Sequence, residues 1–299
     1  MPVVVKIQNV TKRYRARVAV QDVNLAVEAG QATALLGPDG AGKSTILSIV
    51  SGLVRPTSGV VSLFGKEMPR GRLDVSPRIG VFVESPAFFE HLSLRRNLLM
   101  QARLAGRPVN VTRVLDWVGL VPVANERPLE MPRPLRRRLA LAQALLTEPE
   151  LLLLDEPFLG LDLEDAQPTF QLLRRLREEA GVTILFATRL MRVVEVLCDR
   201  AVVLRDGRLV AEVAAEDLIA YEPSEVEVIL DGPETAARKL ADQPWVAQVD
   251  LRPGRIFVRL RDKNAAHLNA FLVAAGYRVH GLLPRGRTLQ DVLLKVTNE

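Results

Sequence analysis

Gly37-Pro38-Asp39-Gly40-Ala41-Gly42-Lys43-Ser44-Thr45 decides the architecture of this chain. It fits the pattern G-x-x-x-x-G-K-[ST] and lies between an apolar strand-like run at residues 32–36 and a helical pattern at residues 44–51, the setting the motif requires. Glycines let consecutive backbone N–H groups curl around an anion, and the positive end of the following helix faces the same point. Lys43 adds a mobile point charge, and the Ser44 hydroxyl suits a hard cation such as Mg²⁺. These residues predict a cradle for the phosphates of a nucleotide.

Working outward, Leu151-Leu152-Leu153-Leu154-Asp155-Glu156 reads as a buried strand ending in two carboxylates. Asp155 is placed to hold a Mg²⁺-bound water and Glu156 to polarise an attacking one. Further strand-like runs occur at residues 3–7, 60–63, 80–83, 183–187 and 201–204. Helical patterns occupy residues 92–104, 135–146, 167–179 and 191–198. Strands alternating with helices predict an α/β core with a mostly parallel sheet. Residues 92–146 contain no strand pattern and read as a helical insertion into that core.

After the turn signal Asp206-Gly207 the pattern changes. Tyr221-Glu222-Pro223-Ser224 reads as a linker. Beyond it come a strand (225–230), a helix (234–241), two strands (246–251, 255–260), a helix (265–275), a strand (277–282) and a last helix (289–296). That order predicts a small ferredoxin-like α+β domain. The expected division is a nucleotide-binding domain at residues 1–221 and an accessory domain at 222–299.

Composition narrows the setting. The chain has 299 residues and no apolar run near the roughly 20 residues that cross a bilayer. Its N-terminus lacks the basic and apolar segments of a signal peptide, which predicts a cytoplasmic chain reaching a membrane only through partners. Cys198, the single cysteine, allows no internal disulfide and reads as a small buried residue. The net charge of +5 is scattered, with Arg137, Arg138 and their neighbours the only tight cluster, and predicts no nucleic-acid partner.

Further landmarks in order resemble ABC ATPases over residues 3 to about 220. Tyr14, in Thr11-Lys12-Arg13-Tyr14, looks like the aromatic residue on which the family stacks adenine. Gly160-Leu161-Asp162 resembles the family's D-loop, where Asp162 would couple the two sites of a dimer. Glu84, in Ile79-Gly80-Val81-Phe82-Val83-Glu84-Ser85-Pro86, stands where the family usually has glutamine, as in bacitracin-type members, and can still bind Mg²⁺ or a water. Thr288-Leu289-Gln290-Asp291-Val292-Leu293 resembles the end of the accessory domain in drug- and bacitracin-type exporters. The resemblance implies ATP and Mg²⁺ as ligands and a peripheral place on the cytoplasmic side of the membrane. It also implies integral membrane subunits as partners, and a homodimer or a heterodimer with another ATP-binding subunit.

Two further landmarks are altered, the first severely. The family's signature segment, Leu-Ser-Gly-Gly-Gln, aligns with Met131-Pro132-Arg133-Pro134-Leu135, which has no hydroxyl and lacks two N–H donors. Pro134 suits the first position of the following helix, so the fold can survive while the chemistry does not. The switch histidine is Arg189, which can grip a γ-phosphate but cannot accept a hydrogen bond or relay a proton. Arg189 also reads as a strand-end surface arginine without a nucleotide role. An exporter ATPase with reduced turnover is therefore expected. The alternative is a degenerate ATP-binding module that assembles or regulates its complex with little hydrolysis.

Overall fold

The structure, a computed structural model, describes residues 1–15, 17–104, 106, 109–214, 225–261 and 264–285. The expected linker at 221–224 and last helix at 289–296 lie outside the described residues. The chain divides into two compact units, Met1–Ala215 and Glu216–Glu299.

The first unit contains two sheets. β1 (Val3–Tyr14), β2 (Arg17–Glu28), β4 (Ser58–Leu63) and β5 (Lys66–Met68) form an antiparallel sheet in the order β2-β1-β4-β5. β3 (Ala32–Leu36), β6 (Ile79–Phe82), β7 (Leu151–Asp155), β8 (Thr183–Thr188), β9 (Arg200–Arg205) and β10 (Arg208–Ala214) form the other, in the order β10-β9-β3-β8-β7-β6. Only the edge strand β10 runs antiparallel to its neighbour there. Leu151 through Leu154 are fully buried, as a central parallel strand covered on both faces requires. Burying each such leucine contributes about 1.5–3 kcal/mol.

The six-stranded sheet is mostly parallel, as expected; the antiparallel sheet adds to that expectation, and its first strand extends beyond residues 3–7. β1 continues to Tyr14, but its register shifts between Ile7 and Val10, with Asn9 at φ 49°. In β2 the buried positions pass from Val20 to Val23 across Asp22, also at φ 49°. Each irregularity moves the apolar phase by one residue, so period-two alternation breaks although the strand does not.

Helices α1 (Lys43–Val50), α2 (Arg72–Val75), α3 (Leu94–Leu104), α4 (Val111–Trp117), α5 (Arg133–Leu145), α6 (Leu163–Ala180) and α7 (Met191–Leu197) accompany the sheets. Among the described residues, the stretch 92–146 holds α3, α4, a 3₁₀ turn and α5, without a strand. α5 starts two residues earlier than expected, with Pro132 as N-cap and Pro134 second rather than first. Both prolines still fall in the opening turn, where an N–H has no intrahelical partner to lose. α6 also starts earlier, at Leu163, because Asp162 caps it and Pro168 is accommodated inside.

The second unit contains β11 (Glu225–Leu230), α8 (Pro233–Ala241), β12 (Val246–Arg252), β13 (Arg255–Leu260), α9 (Ala265–Ala274) and β14 (Val279–Arg285). Its antiparallel sheet runs β12-β13-β11-β14. Val226, Val228, Ile256 and Val258 pack against Ala236, Leu240, Leu268 and Leu272 of the two helices. Glu227 is buried and is met by Arg255 Nη1 at 2.6 Å.

Candidate functional site

The parallel strands β3, β6, β7 and β8 end side by side, and an open α/β sheet binds ligands in the crevice beyond such carboxyl ends. β3 runs into the loop 37–42 and α1, β7 ends at Asp155 and Glu156, β8 is followed by Arg189, and β6 leads to Glu84. A cleft of about 680 Å³ lies there. Its walls carry Tyr14, Arg17, Asp39, Gly40, Ala41, Gly42, Lys43, Ser44, Thr45, Glu84, Glu156 and Arg189. Residues 150 positions apart thus meet in one site, as Asp39 and Arg189 do at 2.9 Å.

The loop curls tightly because its glycines permit close backbone approach. A Cβ on Gly37 would lie 2.3 Å from the Leu204 carbonyl oxygen, and one on Gly42 would lie 2.5 Å from that of Ala19. Gly42 also caps α1 at φ 102°, in the region that favours glycine. Lys43 is buried, and its Nζ donates to the carbonyls of Gly37 at 2.8 Å and Pro38 at 3.0 Å. The ammonium is thereby strapped across the loop, 3.7 Å from Glu156 Oε1.

Glu156 is buried, and neither carboxylate oxygen has a hydrogen-bond partner among the described residues. Burial pushes its carboxyl above the usual glutamate range, Lys43 and Arg189 act against that, and the Asp155 charge adds to it. Asp155 is also pushed upward, chiefly by burial and further by Glu84, while the hydrogen bond that Ser44 Oγ donates to its Oδ1 at 3.0 Å opposes this. A buried carboxylate poised nearer neutrality is what a general base at pH 7 requires.

Arg189 lies at the cleft. Its guanidinium lines the wall and donates to Asp39 Oδ2 across the mouth of the cradle. Tyr14, at the end of β1, also lines the cleft and is half-exposed, with Lys12 Nζ 4.8 Å from its ring centroid. Asp162 behaves differently. Its Oδ1 accepts the Asp165 N–H at 2.8 Å as the cap of α6, and it lines an apolar pocket with Phe158 and Phe170 instead of the cleft. Within this chain one oxygen of its carboxylate serves as the helix cap. Pro132, as N-cap of α5, supplies no side-chain acceptor. Cys198 is buried, donates Sγ–H to the Val194 carbonyl at 2.9 Å, and has its thiol pushed up to about 12 by burial, which leaves it inert.

Two cleft-side residues escaped the sequence reading. Arg17 opens β2 opposite Tyr14, and its Nη2 donates to the Gly40 carbonyl at 3.4 Å. Arg137 is buried under Glu156. A helical period did mark it, since it precedes Leu141 and Ala144 on the buried face of α5.

The family model described as ABC transporter matches residues 20–159. The Nod factor export ATP-binding protein I of Burkholderia orbicola is 33% identical, with 97% of this chain and 95% of that protein covered. The chain belongs to the ABC transporter ATP-binding family. Another relative, the bacitracin transport ATP-binding protein of Bacillus licheniformis, is 33% identical over 73% of this chain and 72% of its own length. Among solved structures, a dimeric bacterial ABC transporter cassette aligns with TM-score 0.66 and 27% identity, covering 71% of this chain and 98% of that one. A dimeric ATP-binding cassette in a post-hydrolysis state with ADP and Pi aligns with TM-score 0.65 and 28% identity, over 71% and 98%. This chain is thus an ABC-type ATPase subunit with a cassette fold.

Proposed function

We propose that this ABC ATPase binds ATP with Mg²⁺ in the cleft, turns it over slowly, and energises a multi-subunit exporter. The observation that carries this reading is the convergence of Lys43, Ser44, Asp155, Glu156, Glu84 and Arg189 at the carboxyl ends of neighbouring strands. Lys43 and the loop from Gly37 to Thr45 bind the phosphates. Glu156 takes the proton of the attacking water, and Arg189 holds the terminal phosphate. Tyr14 offers its ring to the base.

The oxygens of Ser44, Asp155 and Glu84 fit a hard cation. The Ser44–Asp155 hydrogen bond brings two of them together, and the mutual repulsion of Asp155 and Glu84 is what a dication relieves. No group of three or more His, Cys, Asp and Glu suited to a metal occurs among the described residues. Mg²⁺ characteristically takes one or two carboxylates together with substrate phosphates, and this set is of that kind. When bound, the cation neutralises charge developing on the phosphates.

No helix among the described residues is long and apolar enough to cross a membrane. Passage of a substrate falls, in this reading, to integral membrane subunits, with this chain peripheral on the cytoplasmic side and active as a homodimer or heterodimer. The export and transport functions named for the relatives support an exporter. We assign nucleotide binding to residues 1–221 and an accessory role without nucleotide contacts to residues 222–299. A chain ending after Tyr221 is expected to keep ATP affinity within about threefold, the ordinary context dependence of such measurements. Loss of binding by a folded, truncated protein would overturn that division.

A binding module with little hydrolysis is the second reading, favoured by Pro132 at the α5 cap and by the engagement of Arg189 with Asp39. Titration of a fluorescent ATP analogue tests the cradle common to both. Lys43→Ala is expected to weaken binding on the order of 10–100-fold, because charge-assisted bonds contribute about 1.5–3 kcal/mol. Equal affinities for the variant and the parent would refute the site.

A further inference from the structure

Glu156 holds a backbone conformation that a non-glycine residue avoids, with φ at 48°. Left-handed geometry costs an L-residue roughly 1–2 kcal/mol, so the surroundings must impose it. Its N–H donates to the Ala187 carbonyl on β8 at 3.0 Å. Its own carbonyl accepts from Arg137 Nη1 on α5 at 2.8 Å and from the Leu159 N–H at 3.2 Å. The peptide unit before its Cα is therefore held by the sheet, and the one after it by the helix arginine and the local turn. With both planes fixed the Cβ direction is fixed too, and the carboxylate stands 3.7 Å from Lys43 Nζ in the cleft.

Arg137 is an improbable residue for this place unless the bond matters. It is 7% exposed, and its Nε has no partner among the described residues. Burial works against its charge, as does Arg133 one turn earlier, while Glu84 and Glu156 support it. Its guanidinium centre lies 5.8 Å from the Phe82 ring at the end of β6. Arg133 itself leans on the same loop, since a Cβ on Gly160 would meet its Nη1 at 2.5 Å. Two arginines of α5 thus reach the loop 156–160, Arg137 by a hydrogen bond and Arg133 by proximity.

We propose that Arg137 is a positioning residue for hydrolysis: through the Glu156 carbonyl it locks the left-handed turn that aims the Glu156 carboxylate at the cleft. The proposal rests on the reading of Glu156 as the base. Without the Arg137 bond the following peptide keeps only the longer Leu159 N–H contact, the turn loosens, and the carboxylate loses its fixed aim. The phosphate cradle at 37–45 makes no hydrogen bond to Arg137 and stays intact.

The test is steady-state ATP hydrolysis by the full chain with Mg²⁺, alongside titration of a fluorescent ATP analogue. Arg137→Met, similar in shape but without donors, is expected to lower kcat about 10–100-fold, the scale of a small misplacement of a reacting group. Affinity for the analogue is expected to stay within about twofold, so that the loss falls on kcat alone. Arg137→Lys restores a donor and is expected to recover a large part of kcat. A methionine variant with parental kcat, beside a dead Glu156→Gln, would overturn the proposal and leave the base standing. Equal losses of kcat and affinity with no rescue by lysine would also overturn it, showing a merely structural arginine. Undiminished turnover in Glu156→Gln would remove the base and the proposal together.

Discussion

Glu156→Gln is expected to lower ATP turnover by about 10²–10⁴-fold, the usual contribution of a positioned general base, while stabilising the nucleotide-free chain. The two effects share one cause. Glu156 is buried with both oxygens unbonded, and the Lys43 ammonium 3.7 Å away is already engaged by the Gly37 and Pro38 carbonyls. Burial outweighs that attraction, so folding raises the carboxyl's pKa. A carboxyl raised on folding favours the folded state while protonated, and that benefit is lost as pH rises through the folded value. The ionised side chain therefore destabilises the fold at about pH 8 and ceases to do so toward about pH 4, below the ordinary glutamate value. Glutamine does not titrate. Thermal melting of parent and variant should show the variant higher at the alkaline end, with the gap closing on acidification. A variant that melts lower at alkaline pH would show that the Lys43–Glu156 pair outweighs the desolvation.

Rebuilding the altered landmarks is expected to raise turnover by about 10²–10³-fold, the scale on which positioned donors act in a charge-stabilising site. The changes are Pro132→Ser, Arg133→Gly, Pro134→Gly and Arg189→His, tested in the assembled dimer. Each removes an obstacle visible in the fold. Pro132 caps α5 without a side-chain acceptor, and serine there also stabilises the helix by about 1 kcal/mol. Pro134 occupies the second helical position and withholds an N–H from the helix end. The Arg133 guanidinium lies against Gly160, and Arg133 stands where the family's signature segment has glycine. Arg189 is engaged with Asp39 at 2.9 Å and cannot accept a hydrogen bond.

The defects also distribute unevenly between possible dimers. The family resemblance implies that each site joins one subunit's phosphate loop to the other's signature segment. A homodimer would then carry an arginine switch and a proline-rich segment in both sites, and a heterodimer with an intact partner one defect in each. Slow hydrolysis, with ATP acting mainly as a clamp, is expected in the homodimer. The decisive number is the ATPase rate of the parent chain inside its native complex. A rate of several per second that Glu156→Gln abolishes would show that Arg133 and Arg189 substitute effectively for the usual groups.

The sequence alone determined the glycine-rich loop and the strand-end acids. Residues 37–45 are contiguous, and their glycines, lysine and hydroxyl act through local backbone geometry that needs no distant partner. The apolar run 151–154 likewise announces a covered strand by composition, and its Asp155 and Glu156 follow at its end. The order of the described elements in the second unit was legible for the same reason, since each keeps its own period. The antiparallel sheet was not, because irregularities near Asn9 and Asp22 shift the phase on which such reading depends.

Tertiary structure alone decided which charges meet. Nothing local distinguishes Arg137 from Arg136 and Arg138 except the face of α5 it occupies. Only the packing of that helix against the sheet puts its guanidinium on the Glu156 carbonyl. The Asp39–Arg189 pair joins two loops that adjacent strands deliver to the same edge, and Asp162 is claimed by the helix it caps. Contacts of this kind depend on strand order and helix rotation, which are properties of the whole core and are written in no single stretch of residues.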